Sequence, residues 1–80
     1  MIRGIVKFYR PEKAWGAISS PELPPGRDAW VHFSVIEGTG YRELVEGEPV
    51  EFDVEAVRQD SFDFRATRVR RLNPPPRRTL

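Results

Sequence analysis

Apolar residues recur at every second position in several short runs along the chain, with turn-forming residues between the runs. Residues 2–9 form the first run, closed by Arg10-Pro11-Glu12, where proline cannot donate to a strand ladder. Residues 14–19 form the second, followed by the loop sequence Ser20-Pro-Glu-Leu-Pro-Pro-Gly26. Residues 28–33 read as a third strand. Val50, Phe52 and Val54 alternate with Glu51, Asp53 and Glu55, the regular pattern of a half-buried fourth strand. Residues 64–72 give a fifth, less regular run. Ser34-Val35-Ile36 fits a short helical turn, and residues 37–44 form a glycine-containing irregular connection. No segment has the length and 3.6-residue rhythm of a stable helix. Five short strands in one small domain avoid exposed edges by closing into a barrel.

Alternation assigns faces. In the second strand Gly16 and Ile18 point inward, while Trp15 points outward beside Ala17. In the third, Ala29 and Val31 point inward, while Trp30 and His32 point outward. If these strands are neighbours, Trp15, Trp30 and His32 share one solvent-facing patch, bordered by Lys7, Phe8 and Lys13. Strict alternation, however, buries both Phe33 and Phe8. Placing either on the patch requires a bulge or a strand end, so the pattern alone leaves both open. A flat aromatic patch rimmed by cations suits single-stranded nucleic acid, whose bases expose π-faces and whose phosphates seek Lys or Arg. The Asp28 carboxylate is placed to accept a hydrogen bond from a base edge.

Composition narrows the alternatives. Eighty residues make one domain, 39% apolar and 31% charged, which is ordinary for a folded globular protein. The absence of cysteine removes disulfides, thiolate chemistry and cysteine-based zinc sites. No apolar run approaches the ~20 residues that span a bilayer, and the start lacks a signal-peptide pattern, so a cytoplasmic setting is expected. One histidine, no nucleophile-elbow serine and scattered carboxylates argue against an enzyme and against a metal site. Neither a cofactor nor a small-molecule substrate is implied. Net charge is only +1, but Arg65, Arg68, Arg70, Arg71, Arg77 and Arg78 crowd the final third. That clustering fits phosphate recognition and fits genomic codon bias equally well.

Three motifs, Gly4-Ile-Val-Lys-Phe-Tyr9, Lys13-Ala-Trp-Gly-Ala-Ile18 and Trp30-Val-His-Phe-Ser34, resemble the cold-shock domain family. The likeness continues through Gly38-Thr-Gly-Tyr-Arg-Glu-Leu44 and Glu46-Gly-Glu-Pro-Val-Glu-Phe52 and covers residues 1 to about 72. It implies an all-β, five-stranded antiparallel oligonucleotide-binding barrel that binds single-stranded RNA and DNA, and it supplies the missing bulge. On this resemblance the base-stacking positions are Phe8, Trp15, Trp30, His32, Phe33 and Tyr41. Lys7 and Lys13 are the cationic positions, Asp28 is the base-contacting carboxylate, and Tyr9 holds an aromatic position of open role. Residues 73–80, rich in proline and arginine, are expected to be a disordered tail.

The departures from the family pattern bear on affinity. Ala14 replaces a glycine, Ala17 an aromatic residue and Phe8 a tryptophan, while Trp15 and Trp30 replace phenylalanines. Losing one platform at ~1–3 kcal/mol per stacked base lowers the expected affinity by about one to two orders of magnitude. Phe62 and Phe64 either extend the patch or plug the barrel end, with at least one expected to plug. The expected function is a monomeric RNA chaperone that occupies unpaired bases. The alternative is a protein-interaction module that keeps the barrel and has lost most nucleic-acid affinity, favoured by Ala17, the low net charge and Pro74-Pro-Pro76.

Overall fold

The structure is a computed structural model, and it describes residues 1–38 and 43–72; Tyr41 and the expected tail lie outside the described residues. Five strands are present: β1 (Ile2–Arg10), β2 (Trp15–Ser19), β3 (Ala29–His32), β4 (Pro49–Glu55) and β5 (Phe64–Arg71). Their bounds fall within one residue of those the alternation predicts. A single 3-10 turn, Phe33–Val35, follows β3. The strands close into a barrel in the order β1-β2-β3-β5-β4, with β1 pairing back to β4. The pairing is antiparallel at every junction but one, since β3 and β5 run parallel. Between them, β4 crosses to pair with β1, so β5 returns beside β3 in the same direction. No helix among the described residues is long and apolar enough to cross a membrane.

The core is built from the inward positions of every strand, led by Val6, Ile18, Val31, Val50, Phe52 and Val69. Two irregular segments contribute a peg each, Leu23 from the proline-rich loop and Leu44 from the connection before β4. Gly4 is required by close approach: a Cβ there would stand 2.4 Å from the Ser19 carbonyl oxygen.

The outward face of β4 is laced to β5 by charge. Glu51 lies opposite Arg70, Asp53 opposite Arg68 and Glu55 opposite Arg65, the placement that stabilises neighbouring strands. Arg65 hydrogen-bonds Glu55, and Glu51 lies 3.7 Å from Arg3 and 4.0 Å from Arg70. Arg68 and Arg70 both donate to Glu37, and the Arg68 bond above all holds that carboxyl below its ordinary value of 4.5. Among the described residues, Arg65, Arg68 and Arg70 are therefore tied to carboxylates of neighbouring segments.

One ion pair is buried. Arg71 donates two hydrogen bonds to Glu48, at 2.8 and 2.6 Å, and the two side chains are only 9% and 7% exposed. Glu48 also accepts from the Val45 backbone N–H, so its carboxylate is fully engaged. The pair pins the start of β4 to the end of β5. Replacing Glu48 with alanine leaves a buried guanidinium without its partner, and should cost about 3–5 kcal/mol in urea unfolding.

At the β1–β2 turn Ala14 adopts φ 62, the left-handed region, while its N–H bonds the Arg10 carbonyl at 2.8 Å. This is the position at which the family resemblance expects glycine, and here a Cβ carries a steric cost of ~1–2 kcal/mol. Part of that cost is offset by the greater freedom of glycine in the unfolded chain. Ala14→Gly should therefore stabilise the domain by about 0.5–1 kcal/mol, read as a higher urea midpoint at unchanged m-value.

Candidate nucleic-acid interface

Lys7 is where the register of β1 against β2 shifts: Val6 pairs with Ile18, and the next pair is Phe8 with Ala17. The extra residue inverts the alternation beyond it. Phe8 consequently turns outward, and Tyr9 turns inward to pack against the core. Gly16 makes room for this, because a Cβ there would meet the Phe8 carbonyl oxygen at 2.3 Å and Tyr9 Cα at 2.9 Å. Phe33 escapes burial by a different route. β3 ends at His32, so Phe33 opens the 3-10 turn and stays 38% exposed.

These two irregularities complete a continuous layer of rings. Phe8 meets Trp15 edge-on at 5.5 Å between centroids, and Trp15 lies near-parallel to Trp30 at 6.4 Å. Trp30 is near-parallel to His32 at 5.9 Å, and His32 tilts against Phe33 at 4.9 Å. The register explains the order, since Trp15 sits opposite His32 and Ala17 opposite Trp30 on adjacent strands. His32 Nδ1 accepts the Ser34 backbone N–H, which fixes the ring's orientation and leaves Nε2 to carry the proton of the neutral form. Beside Trp30 and His32 the surface dips into an open cleft of about 470 Å³, bounded across the β3–β5 junction by Arg65 and Thr67. The Trp30 indole N–H is buried without an acceptor among the described residues, a cost of about 1–3 kcal/mol that the ring bears in this position.

The sequence from residue 2 to residue 71 matches the family model described as the "cold-shock" DNA-binding domain. The chain belongs to the cold-shock domain family. It is 46% identical over 54 residues to the cold shock-like protein CspLB of Listeria monocytogenes, covering 68% of this chain and 77% of that protein. It is 44% identical over 55 residues to a major cold shock protein of Streptococcus pyogenes, covering 69% of this chain and 78% of the relative. A cold shock-like protein CspC of Bacillus cereus is 45% identical over 53 residues, 66% of this chain and 77% of its own. Cold-shock domains are nucleic-acid-binding modules rather than enzymes.

Two readings of this cold-shock domain gain detail once its side chains are placed. Ala17 is expected on the outward face beside Trp15, as a lost platform. It does face the aromatic layer, but it is 0% exposed and stands outside the core cluster. Its neighbours across both strands are Phe8 and Trp30, and they cover it. The small side chain is fully buried between the two strands that carry those rings. Phe62 and Phe64, the second open point, divide. Phe64 packs against the core, whereas Phe62 meets Trp15 edge-on at 6.0 Å. Phe62 reaches that position on a miniature hairpin, in which Gln59 and Phe62 exchange backbone hydrogen bonds of 2.9 and 2.8 Å. Sequence alternation gave no sign of this hairpin, because two bridged residues are too few to show a period.

The charged positions also resolve individually. Lys7 and Asp28 are paired with each other at 2.9 Å, and Asp28 is mostly shielded. Arg58 and Arg27 both bind Asp63. Lys13 is exposed at the β1–β2 turn and makes no ion pair with the described residues.

Refilling position 17 tests this burial. Ala17→Phe should not add a platform; it should wedge Phe8 and Trp30 apart and destabilise the domain by about 1–3 kcal/mol. Thermal unfolding together with near-ultraviolet circular dichroism of the indoles reads both effects.

Proposed function

We propose that this chain is a non-catalytic binder of single-stranded RNA and DNA, working as an RNA chaperone of the cold-shock type in the cytoplasm, as a monomer. The observation that carries the reading is the unbroken ring layer from Phe8 through Trp15, Trp30 and His32 to Phe33. Unpaired bases can lie on those faces, whereas bases stacked within a duplex cannot, so binding competes with hairpin formation and needs no nucleotide hydrolysis. Tyr41 belongs to the same proposed set through its family position. Lys7 and Lys13 would meet phosphates, and Asp28 a base edge. Phe62 braces the far edge of Trp15. The relatives, all cold shock or cold shock-like proteins, support this reading.

A second reading has its own support. Most described cations are already held by carboxylates, which weakens the general pull on a polyanion and would suit a protein-interaction surface. One titration separates the two. Short oligo-dT or oligo-U should quench indole emission as bases cover Trp15 and Trp30, and binding should weaken with salt by a log–log slope of ~0.7 per phosphate neutralised. Trp30→Ala should weaken binding by about ten- to a hundredfold while the barrel stays folded. No quenching at near-millimolar oligonucleotide in low salt would transfer the assignment to the interaction module.

A further inference from the structure

Among the described residues, every arginine and lysine stands within ion-pair distance of a carboxylate except Arg10 and Lys13. Both belong to the β1–β2 turn. The Lys13 N–H bonds the Arg10 carbonyl at 3.0 Å, so the two cations leave the barrel from a single tight turn. Arg10 is the last residue of β1 and lies opposite Trp15 in the register. Its guanidinium carbon sits 5.1 Å from the Phe8 ring centroid, over the ring face. A planar cation is thus already placed at the end of the ring layer, and no internal carboxylate competes for it.

We propose that Arg10 is a nucleic-acid contact residue that closes the Phe8 end of the platform, stacking in line with the rings while its charge takes a backbone phosphodiester. This rests on the single-strand-binding reading and deepens it. Guanidinium is the side chain suited to both tasks, since it stacks on π-faces and donates in a planar fork to phosphate oxygens. Lys13, one turn away, offers a point charge to a neighbouring phosphate and cannot supply the plane. Together they make the β1–β2 turn the cationic end of the site. Elsewhere, phosphate contacts have to compete with existing ion pairs; Arg65, beside the cleft, is held by Glu55. The strand should therefore be anchored by its phosphates at this turn and by its bases over Trp15, Trp30 and His32.

The test compares wild type, Arg10→Ala and Arg10→Lys, each titrated with oligo-dT of roughly six nucleotides, within the range one such barrel covers. Arg10→Ala should bind about five- to twentyfold more weakly, and its salt slope should fall by about 0.7. Arg10→Lys should keep the salt slope of wild type and recover only part of the affinity, because it restores the charge without the plane. Unaltered affinity and slope in Arg10→Ala would overturn the proposal and leave Arg10 as a brace for Phe8. Tighter binding by Arg10→Ala would overturn it too, by showing that the guanidinium obstructs the Phe8 face. Absence of quenching with wild type would instead remove the binding reading beneath it. Matching thermal midpoints for the three proteins confirm that folding is not what changes, as expected for an exposed strand end.

Discussion

Side chains alternate along a strand, so a single unpaired residue inverts every position beyond it, and in β1 the shift falls at Lys7. Without that shift Phe8 would follow Gly4 and Val6 into the barrel, and Tyr9 would stand in solvent. With it, one strand serves the core through its first half and the aromatic layer through its second. The close approach that the bulge needs is met on the opposite strand by Gly16, where any side chain would strike the β1 backbone. The surface layer and the interior therefore depend on the same local geometry, and disturbing Gly16 or the bulge would affect both.

The aromatic layer is a continuous run of ring contacts. Trp15 and Trp30 lie near-parallel, and Ala17, opposite Trp30 in the register, has no exposure. Held against one another and braced by Phe62, the rings are ordered during folding, which would lower the ordering cost of the proposed binding.

Charge is arranged with a similar division of labour. A chain with net charge +1 has little long-range attraction for a polyanion. Most of its described basic residues are committed to carboxylates across β4 and β5, to Asp63 near the miniature hairpin, or to the buried Glu48–Arg71 pair. What remains uncommitted is concentrated at the turn beside Phe8 and Trp15. Under the proposed function, local placement there would do what bulk charge does in more basic binding proteins.

The sequence by itself determined the strands, to within a residue at each end, because a barrel with one buried face leaves a period-two record along most of its strands, clearest in β4 and weakest in β5. It also determined the outward trio of Trp15, Trp30 and His32, since those positions lie on unbroken stretches of that period. It left Phe8 and Phe33 open, because a bulge and a strand end are interruptions of the pattern and carry no period of their own. Only the tertiary structure decided that Ala17 is fully buried, that Phe62 joins the layer while Phe64 packs against the core, and that β3 and β5 run parallel. It alone matched Arg65, Arg68, Arg70 and Arg71 to partners. Those outcomes depend on which side chains from distant parts of the chain meet across the closed barrel, and separation along a sequence does not encode that distance.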